Sequence, residues 1–430
     1  MKKIQIAGLV IFILGLAVFS FIPFIGTYQL EHEIVQETVK EEHGEAMTRI
    51  LEPMYGVEYK SNFAFISDFN KYINAYNKEL KETEDWDRVI WDNYAFDLTK
   101  AATQGPVKEN PYFYLSISII IGVIGALMYI LPLHREKPEG IKNDGIYFSS
   151  MKARGLLGII TGTWLIGFYV ILYWFPEYIT NLVLLVDPLS VMLSGNSASQ
   201  WFLYGFIYTL AILVMGIRMF RKYKGNTYQT IRTASVMFFQ LAFAFLIPEI
   251  LVLLNQPWHD FKNIWPLDYD FFFEYRIGEM LSSGALGMFM LVWGIILIVL
   301  GVPIITYFYG KRWYCSWVCG CGGLAETLGD PYRQLSDKSL KAWRVERYLV
   351  HGVLVFAVVM TAFTIVNYFM EFELIGQATN QLHQIYGFAI GAAFAGVVGV
   401  GFYPFMGNRV WCRFGCPLAA YLGIVQRFKS

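Results

Sequence analysis

Eight stretches of this chain are each about as long as a bilayer is thick and nearly free of charge, and they decide what it can fold into. A spanning helix needs roughly 20 predominantly apolar residues. Segments near 5–25, 113–133, 155–176, 200–217, 232–254, 285–308, 348–368 and 384–405 meet that requirement. In hydrocarbon every backbone N–H and C=O must be paired inside the protein, so such runs become helices. Composition agrees: 16% of the 430 residues are charged, against roughly 25% in soluble domains. The expected fold is all-α, a polytopic membrane helical bundle of about eight transmembrane helices with a small helical extracytoplasmic insertion.

The first apolar stretch, GLVIFILGLAVFSFIPFIG, follows Lys2 and Lys3 and so resembles a signal peptide. It is longer than a usual h-region and lacks an A-x-A-like cleavage site, so it reads as a retained anchor. Orientation follows from basic residues in short loops, which mark the cytoplasmic side. With the N-terminus inside, the pieces 1–4, 134–154, 218–231, 309–347 and 406–430, with Arg232 at a helix edge, hold 23 Lys and Arg; the short outer loops hold 2. Both termini are therefore expected in the cytoplasm of a bacterial inner membrane. Zero net charge, 34 basic against 34 acidic residues, argues against a nucleic-acid partner and leaves membrane lipid as the surrounding.

This orientation divides the chain into an anchor (1–25), an extracytoplasmic insertion (26–112), helices two to five with their loops (113–284), and a C-terminal region with two cysteine motifs (285–430). The insertion opens with Leu30, Ile34, Val35 and Val39, then Met47, Ile50, Leu51 and Met54, at spacings compatible with one helix face. It has no Cys, no phosphate loop and no His pair at ligand spacing, and reads as a small helical cap or docking surface. The segment 180–194, with Asp187-Pro188 in its middle, is too short and interrupted for a ninth span and reads as interfacial or re-entrant. Gly387, Gly391, Gly396, Gly399 and Gly401 stud the last span, a pattern that lets helices approach closely.

All five cysteines fall on the expected cytoplasmic face. GKRWYCSWVCGCGG carries Cys315, Cys319 and Cys321, and GNRVWCRFGCPLAA carries Cys412 and Cys416. Each has an aromatic-C-x3-C core preceded by a basic residue, Arg312 or Arg409, so the two read as an internal repeat. If helical, an i, i+4 pair places both thiols on one face, and two facing pairs supply four sulfur ligands. The C-x3-C-P run from Cys412 to Pro417 matches the last step of the bacterial ferredoxin pattern, and departs from the C-x2-C knuckle of most zinc sites. A reducing cytosol leaves such thiols free for metal. The readings that remain are a cluster or other metal site, a redox-active thiol pair, and unligated interfacial thiols. Cys315, Cys319, Cys412 and Cys416 form the natural metal quartet; Cys321 is a bystander, or replaces Cys319 if that loop is not helical.

The repeated basic-x-aromatic-C-x3-C-(P) motif resembles membrane iron–sulfur proteins of the NosR/NapH type, over about 285–430. The resemblance implies a 4Fe-4S ferredoxin-type centre, and electron transfer between the quinone pool or a cytoplasmic ferredoxin-like donor and a periplasmic reductase or its maturation. It implies a redox conduit more than a bond-making catalyst, such as a quinol dehydrogenase subunit. Three departures stand out. Gly320-Cys321 occupies the place of the family's Pro. The insertion lacks the family's covalent-flavin signature, Ala101-Ala102-Thr103 being a faint echo, so no flavin is expected. The sequence stops at Ser430, where such proteins usually continue into a ferredoxin module, so that module is expected as a separate chain or as missing. The alternative function is a non-redox membrane assembly or regulatory protein with a structural metal at the cysteines.

Glu249, after Pro248 in the fifth span, is the candidate quinone or proton residue, because a carboxyl in hydrocarbon is functional by default. A purely structural, protonated or paired Glu is the competing reading. A pocket lined by Phe243 and Phe245 is expected beside it. Of the six His, His351 falls near the inner face, and His259 and His383 near the outer. A bis-His haem needs matched depths, so haem is not expected. Arg333, Lys338, Lys341 and Arg344 belong to the positive-inside signal, and could also dock an acidic ferredoxin-like partner.

Overall fold

The computed structural model describes residues 2–136, 156–370 and 378–428; most of the basic loop expected over 134–154 lies outside them. Within the described residues the chain is mostly helical. Seven helices are long and apolar enough to cross a membrane: Lys3–Phe24, Pro111–Pro132, Gln200–Lys222, Thr227–Leu253, Gly284–Tyr309, Leu340–Phe369 and Ala378–Gly401. An eighth is a broken pair, Gly158–Trp174 with Pro176–Leu184, bent by 114°. Pro176 explains the break: it lacks the N–H a continuing helix would use.

Backbone contacts separate two compact units. The first comprises residues 1–135, 171–192 and 196–204. Its two spans cross at glycines. A Cβ on Gly15 would lie 2.6 Å from the Gly122 nitrogen, and one on Gly125 would lie 2.3 Å from the Phe12 nitrogen. Only hydrogen side chains permit that approach, which dispersion between the backbones then favours.

Between those spans lies a small folded body. Val39 and Lys40 are extended, so the helix face expected over 30–54 is split into His32–Thr38 and Glu41–Ile50. The split still turns Val35, Met47, Leu51 and Met54 into one core, each with no exposed surface, against Phe65, Ile66 and Leu98. A small three-stranded sheet adds to the helices. Thr27–Gln29 pairs antiparallel with Glu58–Tyr59 on one side and Thr103–Gln104 on the other. The 180–194 segment forms Thr180–Leu184 and Asp187–Ser194. Lys100, buried, donates at 2.6 Å to Asp187, Ser197 and the Ala198 carbonyl, which neutralises the charge it brings inside.

The second unit holds residues 136–170, 193–195 and 205–430. Two of its spans widen into π-helical turns, Phe239–Leu246 and Leu297–Gly301, each just ahead of a proline, Pro248 or Pro303. The wider turn absorbs the bond that proline cannot donate. The last span is π-helical over Gly387–Gly401, and its glycines mostly make room for rings. Gly387 and Gly391 face the Tyr269 hydroxyl and Gly399 faces Trp411, while Gly401 meets the Ile166 backbone.

One element departs from the expected short outer loop. Residues 255–273 fold back among the spans. The Trp293 indole donates to the Phe261 carbonyl at 3.0 Å, and the Trp265 indole to the Thr361 hydroxyl at 2.9 Å. The Phe271 ring fills the space beside Gly294. Trp293 lies nine residues inside its helix, roughly 14 Å from the end at 1.5 Å per residue. Irregular backbone is tolerated in hydrocarbon only where protein covers it; His259, Ile264, Phe271 and Phe273 of this segment are buried, and Asn255 and Trp258 are exposed.

Candidate metal centre

The cysteine motifs are two copies of one local structure. Gly310 and Gly407 close the preceding helices with φ of 87° and 90°, a conformation disfavoured for residues with a Cβ. Short helices follow, Arg312–Trp317 with Cys315 and Val410–Phe414 with Cys412. Both end in the same bonds: Val318 and Cys319 donate their N–H groups to Tyr314, and Gly415 and Cys416 donate theirs to Trp411. Cys319 and Cys416 are then extended and stand at the N-termini of Gly320–Glu326 and Pro417–Arg427. The helix expected to carry both thiols of a pair on one face therefore breaks between them. In each half the second cysteine turns onto the start of the next helix.

The two halves meet. Cys315, Cys319 and Cys416 are 4–8% exposed and belong to one apolar cluster, with Cys321 and Cys412 packed against it. A latch joins them beside the sulfurs. Asn408 donates to the Ala325 carbonyl at 2.7 Å, and Arg409 pairs with the buried carboxylate of Glu326. Glu326 also holds Arg333 at 2.8 Å and Arg232 at 3.2 Å, so one carboxylate collects three arginines from three elements. Arg218 and Lys222, both buried, share one oxygen of Asp330 at 2.7 and 2.6 Å.

Sterics explain the missing proline of the first motif. A Cβ on Gly320 would sit 2.6 Å from the Tyr208 hydroxyl, and one on Gly322 would overlap the Cys315 carbonyl at 1.6 Å. Pro417 stands at the matching place in the second motif, in the first turn of its helix, where proline is accepted.

Electrostatics show what the thiols lack. Burial, with Cys319 and Cys412 close by, holds Cys315 well above the usual thiol range. Burial likewise pushes Cys416 well up and Cys412 to about 11, the latter against the pull of Arg409. Cys319 goes the other way, to about 6, because the Cys321 thiol donates to it and the Gly322 and Cys321 N–H groups point at its sulfur. One thiolate is sustained and its neighbours are held protonated by it and by burial. A cation bound among them removes that conflict, and thiolates select soft metals and iron–sulfur clusters. All five cysteines are free of disulfides. Among the described residues, no three of their sulfurs lie within 4.8 Å of one another. A single tetrahedral ion, with bonds of about 2.3 Å, draws its sulfurs closer than that, to about 3.8 Å. Four thiolates from two facing pairs are the donor set of an iron–sulfur cluster.

The family model of the 4Fe-4S binding domain matches residues 291–339 and 387–430. The chain carries a 4Fe-4S binding domain. The two matched ranges each contain one cysteine motif together with part of the span that leads into it, and they skip the whole of the intervening helix Leu340–Phe369. No curated protein and no solved structure matches the chain.

The remaining sequence candidates lie elsewhere in this unit. The half-buried Glu249 accepts from the Trp258 indole at 3.3 Å. The two rings expected to line a pocket beside it turn to different neighbours, Phe245 to Phe206 and Phe243 to Phe238 and Phe239. His351 binds the Arg347 carbonyl, and His259 is buried against Phe261. His383 pairs with Asp270. What sequence reasoning missed is the loop 255–273, whose Lys262 carbonyl accepts from the hydroxyl of Tyr314, next to Cys315. Its run WPLDYDFFF, apolar and aromatic where a solvated loop is polar, was the available signal.

Proposed function

We propose that this chain carries electrons across a bacterial inner membrane, with Cys315, Cys319, Cys412 and Cys416 holding one 4Fe-4S cluster on the cytoplasmic side. The observation that carries this reading is the meeting of two matching, sequence-distant cysteine pairs in one apolar cluster, within the ranges that match a 4Fe-4S binding domain. When bound, such a cluster accepts and releases one electron at a time. The chain's own residues do the rest. Apolar packing excludes water, the Asn408 and Arg409 latch fixes the two halves, and Arg312 and Arg409 offset thiolate charge at Cys315 and Cys412.

The resemblance to NosR/NapH-type proteins supports the wider assignment: electrons from the quinone pool or a cytoplasmic ferredoxin-like chain, passed towards a periplasmic reductase or its maturation. The 23-to-2 distribution of basic residues supports the cytoplasmic placement. Proteoliposomes test the function. With an impermeant acceptor sealed inside and reductant outside, the wild-type chain should carry electrons inward, and Cys412→Ser should abolish the flux. Equal flux in both would reject a conduit through the cysteines and favour an assembly protein with a structural metal.

A further inference from the structure

The folded body between the first two spans holds a cluster of metal-ligating side chains that contains no cysteine. Glu42, His43 and Asp92 each offer one ligand atom, and the three atoms lie within 4.8 Å of one another. The break at Val39 and Lys40 creates this convergence. It starts the helix Glu41–Ile50 afresh, so that Glu42 and His43 stand in its first turn. Asp92 arrives on the segment that leads into the helix Ala95–Ala102.

A buried tyrosine sets the two segments in register. Tyr94 is 6% exposed and belongs to the insertion's core, and its ring stands edge-on to the His43 imidazole at 5.9 Å between centroids. Its hydroxyl bonds His43 Nδ1 at 2.8 Å and donates to Asp92 Oδ2 at 3.3 Å. One group therefore orients two of the three ligands, as outer hydrogen-bond partners do at metal sites.

A cation already stands among them. The Lys40 ammonium lies 2.6 Å from Asp92 Oδ2, and His43 Nδ1 is 3.8 Å from the same oxygen. Lys40 is 61% exposed, and exposed ion pairs hold weakly. The surroundings favour positive charge, for residues 31–52 carry seven Glu against Lys40 and Arg49. These carboxylates outweigh the positive end of the helix Glu41–Ile50, which by itself opposes a cation.

We propose that Glu42, His43 and Asp92 bind a divalent transition-metal ion, which displaces the Lys40 ammonium. An imidazole nitrogen with two carboxylate oxygens is a donor set for zinc-like ions, and water completes the coordination. Bonds of about 2.0–2.2 Å require the three ligand atoms to draw together. Glu42 and Asp92, both exposed, are free to rotate inward. No electron moves and no covalent bond changes; a doubly charged ion replaces a singly charged one at the carboxylates. Bound there, the ion ties the start of Glu41–Ile50 to the segment before Ala95–Ala102 and stabilises the insertion.

The site is separate from the cysteine cluster, and so is its test. Zinc is titrated by calorimetry into the whole chain in nanodiscs, comparing the wild type with His43→Gln, Asp92→Asn and Lys40→Met. Tenfold or greater weakening is expected in His43→Gln and in Asp92→Asn. Lys40→Met should bind several-fold more tightly, because the competing ammonium is gone. Zinc should also raise the melting temperature of the wild type and leave that of His43→Gln unmoved. Circular dichroism confirms that each variant is folded; an unfolded His43→Gln is replaced by Glu42→Gln, expected to weaken binding several-fold. Any zinc held by the cysteines is common to all these proteins, so failure of the cluster assignment leaves the comparison intact. Equal affinity in the wild type and the folded His43 or Glu42 variant overturns the site, the zinc being an adventitious ion only. A Lys40→Met that binds no more tightly than the wild type overturns it as well.

Discussion

At the scale of single residues, the site depends on side chains that differ in kind. The Cys321 thiol and the Gly322 N–H hold Cys319 below the usual thiol range, while burial holds Cys412 above it. In cluster-free protein, Cys319 should therefore be the first cysteine to become a thiolate as pH rises, and the first labelled by bromobimane. Mass spectrometry of the labelled peptides reads the order; Cys412 reacting first would contradict the geometry. Glu326 offers a second test. Glu326→Ala leaves Arg232, Arg333 and Arg409 gathered around no anion, and removal of one side of a buried pair costs about 3–5 kcal/mol. Urea unfolding in detergent should show a loss of that size, and a change below about 1 kcal/mol would mean that the latch is solvated. The cysteines were legible in sequence because spacing alone repeats them. Glu326 was not, since a lone Glu five residues past a cysteine motif acquires meaning only when Arg409 is brought to it from 83 residues away.

At the scale of elements, apolar length located the spans, and periodicity in the insertion found Val35, Met47 and Leu51 as core. It could not show the break at Val39 and Lys40, because two short helices folded onto one core leave the same apolar positions as one long helix. The cysteine segments show the same limit: i, i+4 spacing is compatible with a helix, but the bonds to Tyr314 and Trp411 end it after one turn. The glycine contacts of the first two spans were likewise hidden, because a glycine inside a span carries no mark of its partner. Gly125→Ala would press a methyl 2.3 Å from the Phe12 nitrogen. Overpacking of this kind costs about 1–3 kcal/mol, and thermal melting of the detergent-solubilised variant should fall accordingly. An unchanged melting point would show that these spans cross more loosely.

At the scale of the whole molecule, the chain reads as spans that deliver two copies of one cysteine-bearing turn to a common place, with the segment 255–273 bonded to the first of them through Tyr314 and Lys262. Charge asymmetry sets the expected orientation, and reporter fusions check it: a cytoplasm-active reporter after Ser430 should be active, and a periplasm-active one inserted at Glu84, an exposed turn, should be active too. Reversed activities would place the cysteines on the other side. The central claim is that both cysteine pairs hold a single 4Fe-4S cluster. Iron and acid-labile sulfide counted per chain in anaerobically purified protein, with Mössbauer spectra, test it most directly. The account predicts about four of each per chain, a single cubane signature, and loss of both in Cys315→Ser and in Cys412→Ser alike. Zinc in place of iron, or a cluster that survives either substitution, would contradict it.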